Sequence, residues 1–141
     1  MMIRKATLLD APAIGRLLGQ LGYPVSDDLI RRKLARLVDD RDEDLLVAEG
    51  DDGEVAGFLS MHCIPQVAME KGFARISYLC VDESAHGKGI GKALEREGCR
   101  LASARGCDRI ELHCHSRRTD AHRFWARRGY EESPKYFVKK L

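Results

Sequence analysis

Along parts of this 141-residue chain apolar and polar positions alternate, and along others they recur every three or four residues, so strands and helices can be told apart by period. Residues 2–8 read as a first strand. Asp10-Ala11-Pro12 marks a helix start, with Asp10 as N-cap and Pro12 in the first turn; the helix runs to about Leu21, where Gly22 stops it. Tyr23-Pro24-Val25 is a turn. Ser26 or Asp27 caps a second helix in which Leu29, Ile30, Leu34, Leu37 and Val38 fall on one side, and residues 39–44, rich in aspartate, read as a solvated loop. Residues 45–49 and 54–64 are strands joined by the turn Asp51-Asp52-Gly53, which predicts an antiparallel hairpin.

Residues 65–72 form a loop or short helical turn, and 73–81 is the next strand. A glycine-rich loop then leads into a helix from Ile90 to about Ala104, ended by Gly106. Residues 108–115 read as a strand, 119–128 as a helix, and 129–130 with 136–140 as closing strands. A hairpin half followed by a βαβ half predicts an α+β fold built on one mixed central sheet with helices on both faces. The helix from Ile90 should make a right-handed crossover between two parallel strands. The length suits one domain over residues 1–141.

Composition narrows the class. The chain is 44% hydrophobic and 33% charged, as in ordinary water-soluble globular proteins. Neither a signal-like apolar stretch behind Met1-Met2-Ile3-Arg4-Lys5 nor a membrane-length apolar run is present, so the expected address is cytoplasmic and no membrane partner is expected. The five cysteines are odd in number and scattered, which predicts reduced thiols. A net charge of +2, from 24 basic and 22 acidic side chains, argues against nucleic acid as a partner. Arg117, Arg118, Arg123, Arg127, Arg128, Lys135, Lys139 and Lys140 nevertheless make the last quarter basic, which suits an anionic cofactor with several phosphates.

Candidate chemistry centres on His86-Gly87-Lys88-Gly89-Ile90-Gly91-Lys92, between the 73–81 strand and the Ile90 helix. Glycines let main-chain amides approach a phosphate without an intervening Cβ, and a helix start offers unpaired N–H groups to an anion. Lys88 and Lys92 add charge. A Walker loop is excluded, since His86 and Ala93 stand where it requires Gly and Ser or Thr. A dinucleotide fingerprint fails too, its last glycine falling on Lys92 or Leu94.

The run from Ile76 through Val81 to Leu94 resembles the acetyl-CoA signature of the GNAT N-acetyltransferases, written as Gln or Arg, two residues, Gly, one residue, then Gly or Ala. Gly89 and Gly91 match it, and His86 takes the Gln/Arg position, where it can still donate to a phosphate. Arg118 to Tyr130 resembles the family's later A-x-x-F-Y-x-x-x-G-F/Y block, with Phe124-Trp125 in place of Phe-Tyr. The resemblance implies that acetyl-CoA lies where the parallel strands ending at Val81 and His115 splay apart. Leu79, Cys80 and Val81 would then pair with the pantetheine arm, and His86, Gly87, Lys88, Gly89, Ile90, Gly91 and Lys92 would hold the pyrophosphate. Arg118, Ala121 and Trp125 would lie on the cofactor's other side. It implies acetyl transfer to a primary amine, a small molecule for preference; a protein N-terminus or lysine, or a catalytically silent acyl-CoA-binding module, are the alternatives. Dimers are common in that family, so a homodimer is compatible with it.

Two positions depart from the family. Its members often carry a carboxylate early on the strand before the glycine loop, but the corresponding face here reads Phe73, Arg75, Ser77, Leu79. Ser77, through a bound water, and His115 are therefore the candidates for removing the amine proton. Trp125 stands where a tyrosine often protonates the leaving thiolate, and indole is no acid at neutral pH. Tyr130, Tyr136 or water would substitute, or the thiolate, whose thiol has a pKa of about 8.5, would leave unaided. No metal site is expected: of His113-Cys114-His115 only the two histidines share a strand face, with Glu111, and no further pair has zinc-site spacing. The first two helices, with Tyr23, Pro24, Asp27, Asp28, Asp39 and Asp40 nearby, would form the acceptor wall.

Overall fold

The computed structural model describes residues 1–114, 116–133 and 136–141. Strand β1 (Met2–Lys5) and a 3-10 turn (Leu8–Asp10) precede helices α1 (Ala11–Leu21) and α2 (Asp27–Leu37). Strands β2 (Glu43–Glu49), β3 (Val55–Ile64) and β4 (Phe73–Val81) follow, then α3 (Ile90–Ala104), β5 (Ile110–Leu112) and α4 (Thr119–Arg127). The sheet order is β1-β2-β3-β4-β5, antiparallel up to β4 with β5 parallel to it, which is the mixed sheet and α+β class expected.

Local signals account for most boundaries. Gly22 ends α1 at φ 97°, and Tyr23 N–H returns to the Leu18 carbonyl. Ser26 caps α2 by accepting from Leu29 N–H at 3.1 Å. The β2–β3 turn closes with Gly53 at φ 82° and the Asp52 carboxylate on Glu54 N–H.

Helices cover both faces. On one, Ile14, Leu17, Leu18, Ile30 and Leu34 bury against Val47 and Phe58; on the other, Ile90, Leu94 and Ala102 of α3 bury against Leu59, Met61, Ala74 and Ile76. Glycines on both elements let side chains of α3 and β3 pack closely. A Cβ on Gly98 would come within 2.9 Å of Leu59 Cδ2, and one on Gly57 within 3.1 Å of Ile90 Cγ2. This close approach sets the start of α3 over the end of β4.

Several expectations need correction. The first strand stops at Lys5 rather than residue 8, because Thr7 turns out to cap a 3-10 turn. Asp10 does stand at the N-cap of α1, but its side chain makes no capping bond there; the carboxylate accepts instead from both Nη atoms of Arg4 at 2.9 Å and from Thr7 N–H at 2.7 Å. Residues 43–44 are not solvated: Glu43 and Asp44 begin β2 and are buried. The strand expected over 108–115 pairs only through Ile110–Leu112, and His115 lies outside the described residues. No strand forms over 129–133 or 136–141 among the described residues; Tyr136, Phe137 and Val138 are exposed there, without a ladder partner on β5. The five cysteines are free thiols. Among the described residues no helix is long and apolar enough to cross a membrane.

Candidate active site

A β-bulge and an early end to strand pairing shape the site. Ser60 of β3 faces Tyr78 and Met61 faces Ile76, so Ser77 is an extra residue in β4. The bulge shifts the alternation. Ala74, Ile76, Leu79 and Val81 belong to the α3 side, while Cys80 packs on the α1 side. Leu79 therefore does not share a face with Arg75, as unbroken alternation predicts; Tyr78 and Cys80 do. Beyond Ile76 and Leu112 the β4–β5 pairing stops, and β4 runs on to Val81 paired only with β3.

The parting exposes backbone. Asp82 N–H donates to the Ala56 carbonyl, so alternation turns the Cys80 and Tyr78 amides toward β3 and those of Leu79 and Val81 into the gap. The resulting cavity, about 1170 Å³, runs from Tyr23 and Tyr78 past Ser77 to Val81 and on to the start of α3, with Arg118, Ala121, Phe124 and Trp125 opposite. Such a volume suits a large ligand.

At its far end the glycine turn presents its backbone. Gly89 is the N-cap of α3 at φ 79°, ψ 11°, and makes no side-chain cap bond, which leaves the first amides without a protein partner among the described residues. A Cβ built on Gly87 or Gly89 would meet nothing within 4 Å, so the space beside the turn is open. Lys92 lines the cavity, whereas Lys88 does not. His86 lines it as well, but its Nε2 donates to the Val81 carbonyl at 3.0 Å, tying the turn to the end of β4. Asp82 anchors the turn's near side: it accepts from Ser84 N–H and Oγ and pairs with Arg16. Those bonds hold the Asp82 carboxyl at about 2. Open amides, a helix start and the cations Lys92 and Arg118 fit a ligand that carries a pyrophosphate.

Comparison with known proteins bears on this arrangement. A model of the acetyltransferase (GNAT) family matches residues 13–130. The chain belongs to the GNAT acetyltransferase family. The enzymes of that family use acetyl-CoA as co-substrate. It is similar to an aminoalkylphosphonate N-acetyltransferase of Salmonella typhimurium, 34% identical over 89 residues, which cover 63% of this chain and 58% of that relative. Among solved structures it resembles a transcriptional regulator from Bacillus halodurans C-125 (25% identity, TM-score 0.89, 99% of both chains). A putative acetyltransferase from Agrobacterium tumefaciens C58 (17%, TM-score 0.90, 100% of both) shares the fold.

In this acetyltransferase the residues expected at the cofactor fall together: Leu79, Cys80, Val81, His86, Gly87, Gly89, Ile90, Gly91, Lys92, Arg118, Ala121 and Trp125 all line the cavity, and of that set Lys88 alone does not. Ser77 lines it at the bulge. Tyr130 is drawn away: its hydroxyl donates to Glu95 Oε1 at 3.1 Å, beside Arg128 and Cys99, and burial and that carboxylate push its pKa far up. Tyr136 instead stacks on His113, with centroids 4.1 Å apart, at the acceptor end. The buried Cys80 thiol donates to the Leu17 carbonyl at 3.2 Å, and burial pushes its pKa up.

Sequence reasoning missed the polar row beside this end. Glu43 accepts from Ser60 Oγ at 2.5 Å and from His62 Nδ1 at 3.1 Å; burial first, only partly offset by these bonds, pushes its pKa up. Asp40 and Asp42 approach His62 to within 4.8 Å. Next along the row, Arg75 reaches His113. The signal available for the bulge was the phase change between apolar Ala74 and Ile76 and apolar Leu79 and Val81.

Proposed function

We propose that this acetyltransferase takes its acetyl group from acetyl-CoA and passes it directly to the primary amine of a small molecule. The observation that carries the proposal is the parting of β4 from β5, which turns the Leu79 and Val81 amides into a cleft ending at the uncapped start of α3. The amides of Gly87 to Gly91, with Lys92 and Arg118, would hold the pyrophosphate, and the coenzyme supplies an activated thioester. The Leu79 amide then donates to the acetyl oxygen as negative charge grows there. The amine nitrogen bonds to the acetyl carbon, the carbon–sulfur bond breaks, and the sulfur leaves as thiolate to take up a proton.

Direct transfer is supported by Cys80, which is buried, hydrogen-bonded and unready to form a thiolate. Ser77, exposed in the bulge, can hold the water that receives the ammonium proton. With Trp125 at the family's tyrosine position and Tyr130 bound to Glu95, Tyr136 or solvent supplies the thiolate's proton. The similarity to a relative named for aminoalkylphosphonates supports a small amine over a protein terminus.

Release of free thiol from acetyl-CoA across a panel of small amines and peptides tests the proposal. Steady turnover with a small amine, exceeding that with peptides, is expected; peptide turnover alone, or tight binding without turnover, would contradict it.

A further inference from the structure

Arg75 is a half-buried guanidinium that no carboxylate answers among the described residues. The other arginines drawn into the body of the protein each close on an acid: Arg4 on Asp10 and Glu49, Arg105 on Asp44, Arg128 on Glu95. Arg75 makes no ion pair among the described residues; its Nη2 donates to His113 Nδ1 at 2.5 Å. The acids nearest in register are already engaged. Glu111, its partner on β5, binds Arg109 at 2.6 Å, and Glu43 accepts from Ser60 and from His62, its partner on β3. A guanidinium has five donors, and a partly covered cation with donors to spare is costly unless an anion meets it.

Its location says which anion. Arg75 is not itself among the residues lining the cleft, but it shares a sheet face with Tyr78 and bonds to His113, and both of those line the cleft at the end away from the glycine turn. Arg75 near the start of β4 and Val81 at its end are roughly 20 Å apart in an extended strand, too far for the same ligand phosphates to serve both. Between them lie the bulge and the Leu79 amide, where the acetyl group is transferred. Burial and the Arg75 charge hold His113 below the ordinary histidine value, so Nδ1 stays an acceptor and fixes the guanidinium, while Tyr136 stacks on the ring.

We propose that Arg75, oriented by His113, binds an oxo-acid group at the far end of the acceptor, so that the preferred substrate is a short primary amine carrying a phosphonate, phosphate or carboxylate. The inference rests on the cleft being the site of acetyl transfer to a small amine.

Competing substrates separate the two claims. Thiol release is measured with 2-aminoethylphosphonate, β-alanine and the neutral ethanolamine, for the wild type, Arg75→Gln and Arg75→Lys. The wild type is expected to favour an acidic amine over ethanolamine in kcat/KM by about tenfold or more, chiefly through KM, as charge-assisted hydrogen bonds allow. The ratio should fall toward one in Arg75→Gln and partway in Arg75→Lys; which acid wins identifies the group. Wild-type turnover without preference for an acid, or a ratio that survives Arg75→Gln, overturns the proposal while leaving acetyl transfer intact. If no amine turns over, transfer fails, and calorimetric titration with methylphosphonate decides the anion site alone: binding that Arg75→Gln loses supports it, and no binding to the wild type overturns it. If Arg75→Gln does not fold, the same ratio and titration are read on Arg75→Lys.

Discussion

Replacing Gly89 with alanine isolates the glycine turn from everything else the fold needs. Gly89 sits at φ 79°, and the position a Cβ would take has no atom within 4 Å, so the substitution adds backbone strain without a clash. For an L-residue that conformation costs about 1–2 kcal/mol. A free turn can relax to negative φ, misaligning the amides that follow it; binding must then restore the strained form. The dissociation constant for acetyl-CoA should rise by about 5- to 30-fold, taking about 1.4 kcal/mol per decade. Gly53→Ala is the control: the same φ class, 82°, and the same open surroundings, but at the tip of the β2–β3 turn. It should lower the urea midpoint through similar strain and leave the dissociation constant unchanged. Isothermal titration of the three proteins with acetyl-CoA reads the difference. An affinity for Gly89→Ala within twofold of wild type, with a stability loss like that of Gly53→Ala, would refute the idea that this turn grips the phosphates.

The remaining predictions concern stability. Asp44 is buried and held by Arg105 at 2.7 and 3.2 Å, fastening β2 to the end of α3, so Asp44→Ala should cost about 1.5–3 kcal/mol in denaturant unfolding by removing these charge-assisted hydrogen bonds. The hydrogen bonds from Ser84, then the Arg16 pair, hold Asp82 at about 2 against an ordinary 3.8. Because the folded value is the lower, the stabilisation is present above pH 4 and is lost as pH falls toward 2. After allowance for solvent around Arg16, Asp82→Ala should unfold about 1–2 kcal/mol more easily at pH 7, and its deficit should shrink steadily below pH 4.

Features encoded by neighbours in sequence were legible in it. The period of Leu29, Ile30, Leu34 and Leu37, the stop at Gly22, the turn at Gly53 and the loop His86–Lys92 each depend on residues a few positions apart, and each forms as read. What escaped depends on partners far along the chain. Glu43 and Asp44 look solvated beside Asp39 and Asp40 until Ser60, His62 and Arg105 are brought to them. Asp10 has the composition of a cap, yet Arg4 from the neighbouring strand claims its carboxylate and Thr7 takes the capping role. The Ser77 bulge is set by pairing with β3, and it decides which amides and side chains of β4 face the cleft; misreading the face there put Leu79 beside Arg75 and left Tyr78 unremarked.

Hydrogen–deuterium exchange with and without saturating acetyl-CoA tests the central claim most directly, because it reports where the ligand covers backbone. The account predicts slowed exchange at the Leu79 and Val81 amides and across Gly87 to Lys92, with the β2–β3 turn unchanged. Binding that instead protects other segments, with the edge of β4 and the glycine turn exchanging as before, would contradict it.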